Sequence, residues 1–254
     1  MKAAPFAYHR PRSLEEALDL MAEHGDDAKA LAGGQSLVPL MAMRLAQPAV
    51  IVDLGEVPEL RGREGPSVRA MVTNAALERD PSGLPPIIAD ALPHLGHFQI
   101  RNRGTIGGSL AHADPAAEWP ALALLLEATL TLRSRARGER RVPASAFMTG
   151  PLTTVLGADE LVTGVSFPKW PADGRWGFAE VARRPGDFAL AGAACTVIGG
   201  HRRVVVFAAG PRPQLLGHGD EIEAGGDLHA GAGYRRTVAG RLVERVLAQA
   251  GEVA

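Results

Sequence analysis

The sequence predicts an α+β protein in which two small α/β units precede a C-terminal antiparallel sheet packed by a helix. Helix-like and strand-like patterns alternate through residues 1–55 and again, around a glycine-rich stretch, through residues 56–168. From 169 to 254 several strand patterns occur in a row, and one long amphipathic pattern follows them. These three observations define the predicted units and their boundaries.

The first unit begins with the helix signal Ser-Leu-Glu-Glu at residues 13–16. This pattern predicts a capping box, in which the Ser13 hydroxyl accepts from the Glu16 N–H while Glu16 reaches back to the Ser13 N–H. Gly25 is the predicted stop. The later predicted elements are a strand at 29–31, a helix at 37–45 capped by Ser36, and a strand at 50–54.

The second unit is organised around the glycine-rich stretch at residues 101–115. Asp114 and Pro115 predict a helix start, with Asp as the cap and Pro at the first position, and Pro120 predicts a kink. The predicted elements are a strand at 67–72, helices at 86–95 and 114–128, a strand at 129–133, a turn-rich segment at 141–148 and a strand at 160–168.

The third unit contains predicted strands at 176–182, 189–198 and 203–208. Gly199 and Gly200 predict a tight hairpin between the last two strands. Apolar residues then recur every four positions, which indicates a C-terminal helix. That stripe consists of Tyr234, Val238, Leu242, Val246 and Ala250.

Composition excludes several functional classes. The 27 Lys and Arg residues nearly balance 28 Asp and Glu residues, so no nucleic-acid or membrane-surface partner is indicated. The basic cluster at 133–141 is interpreted as a solvated hairpin tip. A single cysteine, Cys195, excludes an intrachain disulfide and an iron–sulfur cluster ligated by this chain alone. No metal site is predicted, and the nucleophile-elbow motif of hydrolases does not occur. Because neither a signal-peptide pattern nor a membrane-spanning apolar run is found, a cytoplasmic location is predicted.

Two glycine-rich stretches predict an anion-binding site. AGGQSL at residues 32–37 and RGTIGGS at residues 103–109 each run from a short segment into a helical pattern. Glycines allow backbone N–H groups to converge on a phosphate, so two such loops suggest a diphosphate held from both sides. Either loop could also be an ordinary turn. Neither a complete Rossmann fingerprint nor a Walker loop is present.

These stretches also resemble those of a known family. The chain resembles the FAD-binding medium subunit of molybdenum hydroxylases, the group of carbon monoxide dehydrogenase and xanthine dehydrogenase. The similar stretches are, in order along the chain, residues 32–37, 100–115, 183–190 and 234–236. The resemblance covers nearly the whole chain, although members of this family usually have a longer third unit, so the unit at 169–254 looks shortened by comparison. It implies a PCMH-type FAD-binding fold, in which the first two units are FAD-binding subdomains.

The resemblance also implies which residues contact the cofactor. They are Ala32, Gly33, Gly34, Gln35, Ser36, Leu37, Thr105, Ile106, Gly107, Gly108, Ser109, His112, Asp114, Glu118, Leu161 and Phe188. Backbone N–H groups around the four glycines are expected to bind the pyrophosphate. Alternatively, the two carboxylates stabilise a helix start, His112 is a packed histidine and Phe188 is a core residue. Gly108→Trp is predicted to abolish flavin retention while leaving the fold intact.

Three positions depart from the family pattern. Gln35 stands where His is common and Ser109 where Asn is common, and both remain hydrogen-bonding side chains. Glu180 stands where relatives tend to carry lysine, which would disfavour a reduced, anionic flavin. No catalytic residue is assigned, because electron relay by a flavin needs no protein acid or base.

The resemblance implies an electron-transfer oxidoreductase subunit. Its FAD would accept electrons from [2Fe–2S] clusters of a small partner, which receives them from a molybdenum cofactor on a large partner, in a dimer of heterotrimers. The acceptor would be NAD, oxygen or a quinone. Two alternatives remain open at this point: a free-standing FAD-dependent oxidase or dehydrogenase, and a module that keeps the fold without the flavin.

Overall fold

A computed structural model describes residues 2–217 and 219–252. In the first unit, β1 (Ala7–His9), α1 (Leu14–His24), β2 (Ala28–Leu31), α2 (Leu37–Ala42) and β3 (Val50–Asp53) follow one another along the chain. The strands form a parallel sheet in the order β1-β3-β2. The unit therefore has the α/β character that the alternating pattern predicts.

The helix ends of this unit agree only in part with the sequence signals. The Ser13 hydroxyl accepts from the Glu16 N–H, and Gly25 with φ 49° ends α1. The Glu16 carboxylate, however, accepts from the Arg12 N–H and does not complete the box. Ser36 does not cap α2, because its own backbone is already helical. That helix ends at Ala42, just before Arg44 takes a left-handed conformation at φ 58°.

The second unit is an antiparallel sheet covered by helices that come as one block in the sequence. Its elements are β4 (Arg63–Glu64), β5 (Ser67–Arg69), α3 (Asn74–Arg79), α4 (Ile87–Ala91), α5 (Phe98–Arg103), α6 (Ile106–His112), α7 (Glu118–Leu125), β6 (Thr129–Ser134), β7 (Gly138–Pro143), α8 (Ala144–Phe147), β8 (Met148–Gly150), β9 (Thr153–Thr154) and β10 (Glu160–Ser166). The main sheet has the order β4-β5-β10-β6-β7, and β8 pairs with β9. The helices do not alternate with the strands, so the chain does not form the helical crossovers that would make neighbouring strands parallel. Neighbouring strands therefore run antiparallel.

The predicted helix at 114–128 begins later than expected. Asp114 lies in the preceding loop, where its Oδ1 atom accepts from the Ala116 N–H, and α7 starts at Glu118. Pro115 is therefore not in the helix. Pro120 lies in the first turn of α7, where N–H groups have no intrahelical acceptor, so it causes no kink there.

The basic cluster in the β6–β7 hairpin is neutralised by acidic neighbours. Arg133 and Arg135 pair with Glu15 of α1, while Arg140 pairs with Glu160 of β10. This hairpin therefore ties the second unit to the first and presents no unpaired basic surface at these residues.

The third unit contains β11 (Arg175–Ala182), β12 (Ala189–Ile198), β13 (His201–Phe207), β14 (Gln214–Leu215) and α9 (Ala232–Gln249). The antiparallel order β11-β12-β13-β14 and the hairpin at Gly199 and Gly200, with φ 55° and 79°, match the sequence pattern. Leu242 and Val246 of α9 are buried against the sheet, whereas Tyr234 is 51% exposed. The α+β class is confirmed; the domain boundaries stay a prediction.

In the part of the chain that the structure describes, four short 3₁₀ turns complete the elements: Gly25–Asp27, Leu54–Glu56, Pro58–Leu60 and Leu92–His94. Across residues 2–217 and 219–252, no helix combines the length and the hydropathy that crossing a membrane requires.

A buried polar contact links α3 to α7. The Trp119 indole N–H donates to Asn74 Oδ1 over 2.9 Å, and Trp119 is fully buried. The Asn74 N–H also donates to the Gly104 carbonyl, next to the residue that begins the glycine-rich helix. This contact therefore helps to place α6.

We expect Asn74→Ala to lower the free energy of unfolding by about 1–3 kcal/mol, because the indole N–H would be buried without an acceptor. Urea unfolding followed by circular dichroism measures the change. Asn102→Ala is the matched control, because Asn102 is an exposed asparagine of α5. Equal unfolding midpoints for the two variants would contradict the assigned role of Asn74.

Candidate functional site

A groove of about 870 Å³ runs between the three units. Every residue that the sequence assigns to the site lines it except Ile106. Ile106 is fully buried, and its N–H donates to the Val72 carbonyl, so neither its side chain nor its amide is available to a ligand. The remaining predicted residues come from segments up to 156 positions apart, Ala32 to Phe188, and the fold brings them to one cavity.

The loop between β2 and α2 forms one wall of the groove. The backbone N–H groups of residues 33–37 have no hydrogen-bond acceptor within the described ranges. Gly34 has φ 74°, which turns successive amides toward a common side. The Gln35 side chain donates to the Gly33 carbonyl and so braces the loop. Consecutive unpaired amides lining a cavity form a binding site for an anion.

The helix α6 forms the facing wall, and here the expectation of free glycine amides is wrong. The Gly107 N–H donates to the Ala70 carbonyl, and the Gly108 N–H donates to the Thr105 hydroxyl oxygen that caps the helix. The Thr105 and Ser109 hydroxyl groups can still donate. The glycines lie inside the first helical turn, where they permit close packing: a Cβ on Gly107 would lie 2.4 Å from Ala70 Cβ.

The same crowding applies at two other glycines of the motifs. A Cβ on Gly33 would lie 2.1 Å from the Arg103 carbonyl oxygen, so glycine allows the two loops to touch. A Cβ on Gly108 would lie 2.9 Å from Thr105 Oγ1 and 3.1 Å from Ala32 Cβ. Gly108→Trp would therefore displace the cap as well as fill the groove, and the expectation that it leaves the fold intact is revised.

An acidic group lines the groove at the start of α7. Glu118 is only 5% exposed. Burial, reinforced by the negative charge of Glu180, raises the pKa of Glu118 to about 8. Asp114 lies nearby in the loop, with His112 Nε2 at 4.0 Å from its Oδ2 atom. Asp114 Oδ1 accepts from the Ala116 N–H and Glu118 lies in the first turn of α7, and both residues also line the groove.

The two residues expected at the flavin ring differ in their environment. Leu161 lies on β10, is buried, and packs with the core of the first unit. Phe188 follows Gly186 in the β11–β12 connection and is 58% exposed at the groove. Phe188 is therefore not a core residue, which removes the alternative interpretation of this side chain.

Comparison with known proteins agrees with this geometry. The family model described as the FAD binding domain in molybdopterin dehydrogenase matches residues 4–170. The chain belongs to this family. It is an FAD-binding medium subunit of molybdenum hydroxylase-type dehydrogenases, and thus part of an oxidoreductase.

Similar proteins include the nicotine 6-hydroxylase medium subunit of Paenarthrobacter nicotinovorans, which is 40% identical over 284 positions and 99% of both chains. Among solved structures, carbon monoxide dehydrogenase from Hydrogenophaga pseudoflava, lacking the Mo-pyranopterin moiety of its cofactor, has a TM-score of 0.92 at 33% identity and 99% coverage of both chains. Quinoline 2-oxidoreductase from Pseudomonas putida 86 has a TM-score of 0.89 at 37% identity, with 98% of both chains covered.

The groove of this medium subunit contains residues that the sequence did not single out. Lys29 of β2 is the one lysine or arginine lining it within the described residues, and Asp26 lies in the preceding turn. The segments 152–154 and 156–158 and Val162 also contribute. Lys29 could have been noticed, because the whole chain has three lysines and this one directly precedes the first loop. The other segments carry no local signal.

No group of three or more His, Cys, Asp or Glu side chains that could hold a metal ion occurs in the part of this medium subunit that the structure describes. Its cysteine, Cys195, is buried in β12 with its thiol donating to the Val246 carbonyl, and burial raises its pKa to about 11. The thiol is therefore packed inside the third unit, away from the groove.

Proposed function

We propose that this chain holds FAD in the groove and relays electrons through it from a partner's iron–sulfur clusters to an external acceptor. The observation that carries the proposal is that the backbone N–H groups of residues 33–37 have no hydrogen-bond acceptor among the described residues. These residues line the groove between all three units. Backbone amides bind a pyrophosphate without a counter-charge. Fifteen of the sixteen residues assigned from the sequence remain the proposed contacts, and the other, Ile106, supports the wall from behind.

The residues present are compatible with a flavin dinucleotide. The diphosphate would be bound by the loop amides, with the Thr105 and Ser109 hydroxyl groups as further donors from the facing wall. Lys29 would add one positive charge. Phe188, exposed at the groove, would shield one side of the ring system and restrict access to it. When bound, FAD supplies a carrier that exchanges electrons with both one-electron and two-electron partners.

The other redox groups are proposed to lie on partner chains. A single buried cysteine cannot ligate an iron–sulfur cluster. We therefore assign the [2Fe–2S] clusters to a small subunit and the molybdenum cofactor to a large one, in a cytoplasmic dimer of heterotrimers. NAD, oxygen or a quinone would be the acceptor. Two relatives that are similar to this chain to a comparable degree are named for different substrates, nicotine and carbon monoxide. This supports the proposal that another subunit determines the substrate.

We expect the purified full-length chain to bind about one FAD and to release it on heating or acidification. Absorption spectra after incubation with FAD and removal of unbound ligand test this, with FMN as the matched control because it lacks the second phosphate and the adenosine. Preferential retention of FAD supports the proposal. Covalently attached flavin would favour a free-standing oxidase, and a chain that takes up no FAD would overturn the assignment.

A further inference from the structure

Three titratable side chains near the groove wall, His94, Glu180 and Glu118, differ in their exposure to solvent. The His94 side chain is 44% exposed, the Glu180 side chain is 4% exposed, and Glu118 is buried at the groove wall. His94 Nδ1 lies 3.2 Å from Glu180 Oε1. The other carboxylate oxygen, Glu180 Oε2, is buried and has no partner among the described residues.

The partners of the two carboxylates decide which one carries the charge. Glu180 has the imidazole of His94, and this hydrogen bond raises the pKa of His94, against the opposing effect of burial. Glu118 forms no ion pair within the described residues. Two nearby buried carboxylates are not both ionised without compensation. Glu118 is the carboxylate without an ion-pair partner among the described residues, and it therefore keeps its proton.

The remaining groups around Glu118 and His94 act in both directions. The backbone hydrogen bond of Glu118 and a charge on His94 lower the pKa of Glu118, but burial and the nearby carboxylates outweigh them. Asp114 precedes α7 and contributes a second negative charge near Glu118. Asp90 of α4 accepts from the Trp176 indole N–H and acts on His94. Arg101 of α5 approaches the Pro93 carbonyl, but it is paired with Glu78. None of these groups supplies Glu118 with a cationic partner.

We propose that Glu118 binds the cofactor as a neutral carboxylic acid, which donates a hydrogen bond, and that Glu180, held in place by His94, is a positioning residue that favours this neutral form. This inference rests on the proposed FAD site. A neutral Glu118 avoids placing a negative charge beside a dinucleotide that is itself anionic. Glu180 and His94 act through Glu118 and have no direct contact with the groove.

The inference predicts a specific pH dependence. The pKa of Glu118, about 8, means that the acid is mostly protonated at pH 7 and mostly ionised at pH 9. Because only the protonated form donates, FAD affinity is expected to fall about tenfold between these two pH values. A carboxylate that accepted from the cofactor would give the opposite slope.

Titration of the full-length chain with FAD at pH 6.5–9, followed by flavin fluorescence, measures this dependence. Glu118→Gln keeps an uncharged donor of the same shape, so it is expected to bind FAD at pH 7 like the wild type and to lose the decline above pH 7. Glu180→Gln removes the neighbouring charge and is expected to move the decline to lower pH. Any pH dependence of FAD affinity that remains in the Glu118→Gln variant arises from groups other than Glu118.

A direct readout of the proton does not require FAD. The infrared spectrum of the wild type at pH 7 should contain a carboxylic-acid carbonyl band that is absent from Glu118→Gln. An affinity that stays constant or rises with pH, or the absence of that band, would overturn this inference while leaving the FAD site standing. Failure of FAD to bind at every pH would overturn the proposed function and this inference together.

Discussion

Replacing Ser109 with tryptophan is expected to abolish FAD binding by a chain that still folds. Ser109 lies in α6, is half-buried, and lines the groove opposite the 33–37 loop. An indole at this position would occupy the space that the proposed diphosphate needs. Unlike Gly108, Ser109 already carries a Cβ, so the substitution extends into the groove without first displacing the Thr105 cap. The flavin absorbance retained after gel filtration measures the effect.

Two variants separate occlusion from other causes. Ser109→Ala removes only the hydroxyl group, so its affinity for FAD should stay within about tenfold of the wild-type value, the effect of about one hydrogen bond. Thr237→Trp adds the same indole to an exposed position of α9, outside the groove, and should retain FAD. Normal FAD content in folded Ser109→Trp would show that the cofactor does not occupy this groove.

Gly34→Val is expected to weaken FAD binding by about 10- to 100-fold. Gly34 has φ 74°, a conformation that costs a β-branched residue about 1–3 kcal/mol. Valine would favour a different backbone conformation, which would turn the amides of residues 33–37 away from their common side. Since about 1.4 kcal/mol corresponds to a tenfold change in affinity, the strain and the lost donors together account for the range. Calorimetric titration with FAD measures it.

Gly62→Val is the matched control for backbone strain. Gly62 has φ 88°, and no atom lies within 4 Å of the position that a Cβ would take. It does not line the groove, so the variant should lose a similar amount of stability in thermal unfolding and keep its affinity for FAD. Equal losses of affinity in both variants would mean that general destabilisation, and not the loop amides, explains the result.

Several elements of the fold could be predicted because their signals are local. Ser13 and Gly25 bound α1 through contacts within a few residues, and two glycines make the β12–β13 hairpin. The predictions failed where one local sequence pattern is compatible with more than one structure. Asp114 followed by Pro115 has the pattern of a helix start, yet its carboxylate closes a loop turn instead.

Sequence alone predicted the family and the α+β class, which are confirmed, together with the two glycine-rich walls, and it excluded an iron–sulfur cluster ligated by this chain alone. These conclusions depend on ordered motifs and on the count of cysteines, which are written directly in the chain. Tertiary structure alone decided which groups are free to bind. Gly107 loses its amide to Ala70 across the chain, while the 33–37 loop keeps its donors. It also brought His94 to Glu180, 86 residues away. Hydrogen-bond availability and protonation depend on which distant segments meet and how far they exclude water, and local sequence patterns do not encode that.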